Sequence, residues 1–401
     1  MRLRLTPVGE TMFPSRAAFF SSNRLACGED LKRGNLPVPL FPVPGRRLRW
    51  MSMMKRIVVA GAGAAGVSVA YHLSELGGEE VVLCDRGSVA GGATAKAMGG
   101  VRQQFSTAAE VKLAQASIRF FEELGSPFFD QVGYLFLATT EAGLAELEER
   151  AELQRSLGVR VVATAPSAGV RSDDVAGAVV CWQDGVADPP AVAGELVRRA
   201  AAGGVEVREG EDATKLAADV FVIAAGPWSA EVGRELGVEL PIRPLCRQLL
   251  ETETIAGLPS ELPMTVEAES GFHFRRRGDR LILAMSDPEP RWGFDEVVDE
   301  SLFGDRLERL VHRFPAAAGT RIDRAWAGLY DMTPDAHPIL GRVGEGVYAA
   351  CGFSGHGFMQ SPAVGRAVAE EILGLEPTFD LSPYRLDRFE RGAIFPEQLV
   401  L

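Results

Sequence analysis

A glycine-rich turn, Gly61-Ala62-Gly63-Ala64-Ala65-Gly66, constrains the fold of this chain more than any other part of its sequence. It follows a short apolar run, residues 57–60, that predicts a strand buried on both faces. Residues 67–76 then have the apolar spacing of a helix. In such a unit the first glycine permits the tight turn, the second lets a phosphate approach the backbone, and the third lets helix and strand pack closely.

An acidic residue lies at the expected distance from this turn. A second apolar run, residues 81–84, ends at Asp85, about two dozen residues after Gly61. Its carboxylate is placed to accept hydrogen bonds from a ribose hydroxyl, and the helix presents free N–H groups to phosphates. The glycine pattern alone is weak evidence, because small residues recur in ordinary tight turns. Flanked by strand, helix and acid, it predicts a dinucleotide site for a nicotinamide or a flavin cofactor.

The composition is that of an ordinary globular protein and excludes several functions. The 401 residues suffice for two to three domains, and 46% are hydrophobic and 24% charged. A net charge of -12 argues against a nucleic-acid-binding surface, which needs Lys and Arg to neutralise phosphates. The five cysteines are far apart, so we expect no disulfide framework, no structural metal and a cytoplasmic location. No run approaches the ~18 apolar residues of a membrane span.

Residues 1–54 differ from the rest of the chain. The first fifty hold nine Lys or Arg and three acids, and residues 36–44 are a Pro-rich run unsuited to a helix or a central strand. Three origins are open: a disordered basic extension, an organellar transit peptide, or a translation start set upstream of the natural one near residues 51–54. The acids argue against a transit peptide. We favour an extension outside the fold, and among the three origins we favour a translation start set upstream of the natural one. Organellar import stays open if the extension is part of the natural protein.

Five further segments follow the turn in order along the chain. They are Asp85-Arg86 with Gly91-Gly92-Ala93-Thr94, residues 99–106, Ala224-Ala225-Gly226-Pro227-Trp228, residues 326–335, and Gly352-Phe353-Ser354-Gly355-His356-Gly357-Phe358-Met359. Together they resemble the D-amino-acid oxidase and sarcosine oxidase superfamily, which includes glycine oxidases and dimethylglycine dehydrogenase-like enzymes. With the turn they cover nearly all of residues 55–375. The resemblance implies an FAD-dependent amine oxidoreductase, with FAD in place of NAD.

The resemblance also implies which residues bind FAD. The ribityl phosphate is expected near Thr94, and the flavin ring near a helix that begins near Ser361 and directs its positive end at the flavin carbonyl. A cysteine that tethers flavin in sarcosine oxidases aligns with Gly328, so we expect non-covalent FAD. For His356, hydrogen bonding to backbone groups is the alternative. The expected cofactor-binding residues are Gly61, Gly63, Ala64, Ala65, Gly66, Asp85, Arg86, Thr94, Ala225, Gly226, Trp228, Gly328, Gly355, His356, Gly357, Phe358 and Met359.

The order of elements predicts a mixed α/β fold that interweaves two domains. Buried apolar runs indicate a parallel, Rossmann-like FAD-binding domain, whereas strand-like alternation over residues 241–285 indicates an antiparallel substrate domain. We expect a discontinuous division. The FAD-binding domain takes residues 55–133, 188–243 and 323–375, the substrate domain takes residues 134–187 and 244–322, and residues 376–401 form a C-terminal tail.

Several positions depart from the residues that the family uses around its substrate. The arginine that binds carboxylate in glycine oxidases aligns with Tyr330, and the corresponding lysine of sarcosine oxidases aligns with Met359. The lysine that activates oxygen aligns with Ile282, and an active-site histidine aligns near Ser286. Without that lysine's charge, superoxide-like transition states lose stabilisation. We therefore expect a dehydrogenase that passes electrons to another acceptor or partner subunit, more than an efficient oxidase.

Three arginines, Arg102, Arg247 and Arg275, are candidates to bind a substrate carboxylate, because a guanidinium pairs with it as a bidentate fork. A salt bridge is the structural alternative for each, and Arg102 is favoured because it lies in a flavin-proximal segment. His273 lies on the strand expected over the substrate, and a core role explains it equally well. Tyr330 lies where the flavin loop meets the substrate. No acid or base is assigned, because hydride transfer to flavin N5 needs none if the amine arrives neutral.

The leading hypothesis is FAD-dependent oxidation of a secondary or N-methylated amino acid, such as sarcosine, dimethylglycine or proline. The missing substrate residues keep a second hypothesis open: a catalytically weak flavoprotein that acts as an assembly or partner-binding factor. A third, an NAD(P) protein, conflicts with the flavin segments. One more departure concerns the cofactor: about twelve residues join Val207 to Val220, where relatives usually have a hairpin. We expect that hairpin to be lost or very short.

Overall fold

The computed structural model describes residues 55–166 and 169–397. The helices are α1 (Ala64–Glu75), α2 (Ala93–Lys96), α3 (Ala108–Leu124), α4 (Glu141–Ser156), α5 (Pro189–Ala202), α6 (Ser229–Glu235), α7 (Phe303–Arg313) and α8 (Gly357–Ile372). The strands are β1 (Arg56–Ala60), β2 (Glu80–Asp85), β3 (Gly100–Val101), β4 (Phe129–Asp130), β5 (Tyr134–Ala138), β6 (Val161–Ala163), β7 (Gly177–Cys181), β8 (Gly185–Ala187), β9 (Glu206–Glu209), β10 (Val220–Ile223), β11 (Arg243–Thr252), β12 (Met264–Glu267), β13 (His273–Arg277), β14 (Arg280–Ala284), β15 (Arg291–Trp292), β16 (Ile322–Met332), β17 (Ile339–Gly344) and β18 (Val347–Cys351). The extension predicted for residues 1–54 lies outside these ranges. Within them, no helix is long and apolar enough to cross a membrane.

A six-stranded sheet in the order β17-β18-β10-β1-β2-β9 contains the glycine turn. Its strands are parallel except for β17, which runs antiparallel to β18. Ile57 and Val59 of β1 pack in one apolar cluster with α1 and α8, and Val58 and Ala60 pack in a second cluster on the opposite face. All four are at most 3% exposed, which confirms a strand buried on both faces.

A second, larger sheet has the order β15-β11-β14-β13-β12-β5-β7-β6, with β16 paired to β11. Its pairs are antiparallel except for β5 with β12. The predicted hairpin is present: β13 and β14 join at Gly278, whose φ of 63° lies in the left-handed region. Since the chain enters this sheet twice, once before and once after β10, the mixed and interwoven α/β fold is confirmed. A small third sheet has the order β3-β8-β4.

The predicted division into domains stays a prediction. For two of its segments, the structure shows which parts of the fold they contact. Residues 323–375, predicted for the FAD-binding domain, begin within β16, and β16 pairs with β11 along most of its length. Residues 376–397, predicted as part of a tail, include Arg388, which is 1% exposed and forms an ion pair with Asp335. This part of the C-terminal segment therefore packs against the fold.

The last helix begins earlier than the sequence predicts. We expected a start near Ser361, but α8 begins at Gly357 and contains Pro362. A proline lacks the N–H that would bond to the carbonyl four residues earlier, here that of Phe358. The Ser361 hydroxyl donates to this Phe358 carbonyl at 2.9 Å and so replaces the missing bond. This side-chain hydrogen bond explains how the helix continues through the proline.

The connection between β9 and β10 is short, as predicted. Between these strands the described chain contains one 3-10 turn, Ala213–Lys215, and no hairpin. Asp212 caps this turn by accepting a hydrogen bond from the Thr214 amide at 3.0 Å. The sheet edge beside the nucleotide end of the site therefore carries one turn in place of a hairpin.

Candidate active site

One cavity of about 750 Å³ joins the carboxyl ends of β1, β2 and β10 to one face of the larger sheet. All the expected cofactor residues except Gly66 line it: Gly61, Gly63, Ala64, Ala65, Asp85, Arg86, Thr94, Ala225, Gly226, Trp228, Gly328, Gly355, His356, Gly357, Phe358 and Met359. Of the five substrate candidates, Arg102, Arg247, His273 and Tyr330 also line it. The structure does not bring Arg275 to the cavity wall.

The glycines of the turn have tight surroundings. A Cβ on Gly61, whose φ is 111°, would lie 2.3 Å from the Ala224 carbonyl oxygen. A Cβ on Gly66 would lie 1.8 Å from the Gly61 carbonyl oxygen. Gly66 therefore acts from behind the cavity, by letting α1 approach β1. Gly63 is the N-cap of α1 and supplies no side-chain cap, so the first turn presents its N–H groups beside the cavity.

Two side chains accept hydrogen bonds from backbone amides at the glycine-turn end of the cavity and fix the backbone there. The Asp85 carboxylate accepts the Ala62 amide at 2.7 Å and the Gly87 amide at 2.7 Å, one on each oxygen. The Thr94 hydroxyl accepts the Ala64 amide at 3.0 Å. Each carboxylate oxygen has a second lone pair, so Asp85 can also accept a ribose hydroxyl. The remaining N–H groups of the first turn, beside an acceptor carboxylate, are a donor and acceptor set that fits a dinucleotide.

Arg86 lies at the rim of the cavity. Its guanidinium pairs with Asp212 at 3.2 Å and with Glu235 at 3.1 Å, and its side chain is 46% exposed. These contacts link β2 to the 3-10 turn and to α6. Arg86 therefore has an evident structural role in addition to the predicted cofactor contact.

A buried carboxylate, Asp331, fastens the loop that precedes α8. Its Oδ2 accepts the Gly352 amide at 2.7 Å, and its backbone carbonyl accepts the Ser354 amide at 3.2 Å. Burial raises the pKa of Asp331 to about 6, against the opposing effect of the loop amides. The Ser354 hydroxyl in turn accepts the Thr333 amide at 3.1 Å. Asp331 was not among the residues predicted for the site, although its position at the end of a strand before a loop was a usable signal.

The end of α8 and the Tyr330 ring form the opposite end of the cavity. A Cβ on Gly355, whose φ is 99°, would lie 2.4 Å from Cε2 of Tyr330, so a side chain there would displace the ring. His356 is the N-cap of this sixteen-residue helix and provides no side-chain cap. The uncapped N–H groups fit the electron-rich edge of an isoalloxazine ring. The two helix ends therefore match two parts of FAD, its pyrophosphate and the electron-rich edge of its flavin ring.

Arg102 is fixed on both sides. One guanidinium nitrogen donates to the Gln104 carbonyl and another to Nε2 of His356 at 3.3 Å. Because a guanidinium only donates, His356 accepts at Nε2. The Phe105 ring lies 4.1 Å from the Arg102 guanidinium carbon. Arg102 is 1% exposed, so this guanidinium is oriented before any ligand binds.

His273 and Arg275 are two residues apart on β13 but differ in access. Nδ1 of His273 lies 2.8 Å from the Gly271 carbonyl and must donate to it, which leaves Nε2 as an acceptor. Burial lowers the pKa of His273 to about 4, so the ring is neutral at pH 7. Arg275 is 7% exposed, and burial, assisted by Arg277, lowers its pKa to about 10. Its Nη1 donates to the Arg276 carbonyl at 3.3 Å.

A family model described as FAD dependent oxidoreductase, DAO, matches residues 56–371. The chain belongs to this family. FAD is therefore its cofactor, and the prediction of FAD in place of NAD is confirmed, as is that of an oxidoreductase acting on amines or amino acids.

Individual members of the DAO family cover most of the chain. It is 30% identical to FAD-dependent oxidoreductase domain-containing protein 1 of Bos taurus, over 86% of this chain and 87% of that protein. It is 27% identical to mitochondrial sarcosine dehydrogenase of Mus musculus over 84% of this chain, and spans 41% of that protein. The structure of L-proline dehydrogenase from P. horikoshii superimposes with a TM-score of 0.79 at 26% identity, over 85% of this chain and 99% of that one.

Lys96 is a cavity residue that was not predicted for the site. Its side chain covers Gly328, the position that the resemblance aligns with a flavin-tethering cysteine: a Cβ there would lie 3.0 Å from Cβ of Lys96. The Lys96 ammonium pairs with Glu296, and its carbonyl accepts the Trp326 indole N–H at 3.1 Å. A tether at this position would need a different arrangement of α2. Lys96 was not predicted because α2 is a short helix far from Gly328 in the chain, and no local sequence pattern indicates that the two residues are in contact.

Proposed function

We propose that this DAO family member oxidises a secondary or N-methylated amino acid of the sarcosine, dimethylglycine or proline type. Bound FAD supplies the acceptor for the hydride that leaves the carbon next to the substrate nitrogen. The observation that carries the proposal is that Arg102, His273 and Tyr330 converge on one end of a cavity whose other end is the glycine turn. Relatives named sarcosine dehydrogenase and L-proline dehydrogenase support this substrate class.

Arg102 is the residue that we assign to the substrate carboxylate. Its contacts with the Gln104 carbonyl and with His356 hold the guanidinium in place, which lowers the entropy lost on binding. A guanidinium and a carboxylate form a charge-assisted pair, and burial strengthens the attraction. In this role Arg102 replaces the family's carboxylate arginine and lysine, which are absent at Tyr330 and Met359.

His273 is the residue that we assign to the substrate nitrogen. Its Nε2 is an acceptor, because Nδ1 donates to the Gly271 carbonyl. With a pKa of about 4 the ring does not hold a proton at pH 7, so it can accept the N–H of a neutral secondary amine such as sarcosine or proline without charging. Such a bond orients the amine so that its nitrogen lone pair lies in line with the C–H bond that breaks. The Tyr330 ring, packed against Gly355, closes the other side of the substrate space.

We further propose that the electrons pass to an acceptor other than oxygen. The position of the oxygen-activating lysine is Ile282, which is 0% exposed and pairs with Glu251 and Arg275 in the sheet. The Lys96 ammonium, which is near the cavity, already pairs with Glu296. A superoxide-like transition state therefore lacks the lysine ammonium that would stabilise it. The acceptor is a small molecule or a partner subunit.

The test is anaerobic reduction of the purified protein, followed by its visible spectrum. We expect a yellow protein that bleaches with sarcosine, dimethylglycine or proline and reoxidises slowly when air is admitted. A colourless protein that does not take up FAD would contradict the cofactor assignment. A yellow protein inert to a broad amine panel would instead favour the assembly or partner-binding alternative. Rapid reoxidation in air would overturn the dehydrogenase proposal.

Substitution of Arg102 tests the carboxylate assignment. Arg102→Met should raise KM for the substrate by about 10- to 100-fold, the worth of one charge-assisted pair. Arg102→Lys should recover part of this loss, because it restores the charge without the fork. The control is Arg119→Met, an exposed arginine that donates to the Gln115 carbonyl of its own helix at 3.1 Å. Equal KM values for Arg102→Met and Arg119→Met would contradict the assignment of Arg102 to the substrate carboxylate.

The cytoplasmic location is also a proposal. The absence of a Cys-x-x-Cys or paired cysteine framework supports it, and the four described cysteines, Cys84, Cys181, Cys246 and Cys351, are free and buried. The sarcosine dehydrogenase relatives are named as mitochondrial, which keeps organellar import as the alternative. Fluorescence microscopy of the full chain with a C-terminal tag distinguishes the two.

A further inference from the structure

Arg247 is a cavity residue whose charge the proposed reaction does not use. It lies on β11 and lines the cavity. Its Nε is buried without a hydrogen-bond partner, and no carboxylate among the described residues forms an ion pair with its guanidinium. Its recorded neighbour is an aromatic ring: the guanidinium carbon lies 5.8 Å from the centroid of Tyr330. Arg247 is half-buried, so its guanidinium is partly withdrawn from water without an anion, and a ligand that supplies one would stabilise it.

The strand register directs Arg247 to the substrate space. Arg247 pairs with Gly328, and Leu245 pairs with Tyr330, on the antiparallel strands β11 and β16. Residues opposite each other in such a pair share a face, and so do residues two apart on one strand. Arg247, Gly328 and Tyr330 therefore face the same side of the sheet. Since Gly328 has no side chain, the residue directly opposite Arg247 does not cover the guanidinium.

Among the described residues, none of the four carboxylates that line the cavity pairs with Arg247, and three of them are engaged elsewhere. Asp85 accepts the amides of the glycine turn and of Gly87, and Asp212 pairs with Arg86 and caps the 3-10 turn. Asp331 accepts the Gly352 amide, and Glu231 lies in the first turn of α6. The end of the cavity near Tyr330 therefore has two guanidinium groups, those of Arg102 and Arg247, and no carboxylate paired to Arg247 within the described residues.

We propose that Arg247 binds a second carboxylate of the substrate, so that the preferred substrate is a secondary or N-methylated amino acid with two carboxylates. This inference rests on the proposed function, in which Arg102 binds the first carboxylate and His273 accepts an N–H of the amine. A dicarboxylate neutralises both guanidinium groups, whereas sarcosine or proline leaves that of Arg247 without an anion. The added selectivity equals one charge-assisted pair, about 10- to 100-fold.

Binding of unreactive acids to the FAD-loaded protein tests the anion site without catalysis. Malonate, succinate and glutarate are titrated against acetate and propionate, and the change in flavin absorbance reports binding. We expect the best dicarboxylate to bind at least about tenfold more tightly than either monocarboxylate. Arg247→Met should abolish that preference and change acetate binding by less than about twofold, while the control Arg119→Met keeps the preference. Equal affinities in the unaltered protein, or a preference that survives Arg247→Met, would overturn the proposal.

Substrate kinetics separate this inference from the proposed function. N-methyl-L-aspartate and iminodiacetate are compared with sarcosine by anaerobic flavin reduction. We expect a higher kcat/KM for the dicarboxylates, and Arg247→Met should remove the advantage through KM with little change in kcat. If sarcosine reduces the flavin as efficiently as the dicarboxylates, the inference fails and the proposed function stands. If dicarboxylates bind but no amine reduces the flavin, the reaction fails and the anion site stands.

Discussion

Burial determines the charge of individual residues in the site, and His273 shows the consequence for stability. Its pKa in the folded protein is about 4, below the ordinary value of 6.5, because desolvation disfavours the charged ring. Between these values the unfolded chain binds more protons than the folded one. The stability present above pH 6.5 is therefore lost progressively as the pH falls toward 4. From pH 7.5 to pH 5 this single residue costs about 2 kcal/mol.

The replacement His273→Asn tests this linkage. The asparagine amide can keep the bond that Nδ1 donates to the Gly271 carbonyl, and it does not titrate. The free energy of unfolding of the variant should fall by about 2 kcal/mol less than that of the unaltered protein between pH 7.5 and pH 5. Urea unfolding at the two pH values measures it. Burial also lowers the pKa of His72 to about 4, but that effect is common to both proteins and cancels. Parallel pH dependences would refute the assignment.

At the scale of elements, residues 293–298, which we name the clasp segment, contact two residues of the cavity wall, one of them on α2. The Phe294 ring stacks on Trp228 with centroids 5.8 Å apart and planes at 25°. Glu296 pairs with Lys96. Because Trp228 and Lys96 both line the FAD cavity, these contacts tie the clasp segment to the cavity wall. The short connection between β9 and β10 leaves the nucleotide end without a hairpin, so the clasp segment should matter for cofactor retention.

Weakening the clasp segment should speed FAD release. Phe294→Ala removes the stack, Glu296→Gln removes the ion pair, and each should raise the dissociation rate severalfold, since aromatic stacking contributes about 0.5–1.5 kcal/mol and exposed pairs less. The rise of free-flavin fluorescence after dilution measures that rate. Val297→Ala is the matched control, because this residue is 61% exposed in the same segment. Identical release rates for all three variants would show that the clasp segment does not retain the cofactor.

The sequence could predict features that depend on residues close together in the chain, but not contacts between residues far apart in it. The glycine turn, Asp85 and the β13–β14 hairpin are encoded within about thirty residues, and the structure has all three. The cavity position of Arg247 depends on the pairing of β11 with β16, which are some eighty residues apart in the chain. Lys96 over Gly328 depends on a loop helix meeting that same strand. Such contacts have no local pattern, so periodicity could not reveal them.

At the scale of the whole molecule, the C-terminal segment joins elements from distant parts of the chain. The Arg388 guanidinium donates to both oxygens of Asp335, at 2.8 and 2.9 Å, and to the His337 carbonyl at 2.8 Å. His337 in turn contacts Glu110 of α3 at 2.9 Å, and its ring stacks on Phe395 with centroids 3.9 Å apart. Glu110 also accepts the side-chain amide of Gln360, in the first turns of α8. The segment therefore supports the helix whose amino end lines the cavity.

Arg388→Met should be strongly destabilising, because it leaves the Asp335 carboxylate, which is 1% exposed, without its cation. Breaking a buried pair in this way costs about 3–5 kcal/mol. Arg391→Met is the matched control: its pair with Asp387 has side chains 59% and 57% exposed, and its loss should cost less than about 1 kcal/mol. Urea unfolding of the FAD-loaded proteins compares the two. Adding Asp335→Asn to Arg388→Met should recover part of the loss, since the uncompensated charge is removed. Equal effects of the two arginine substitutions would mean that residues 376–397 contribute to the fold no more than an exposed tail.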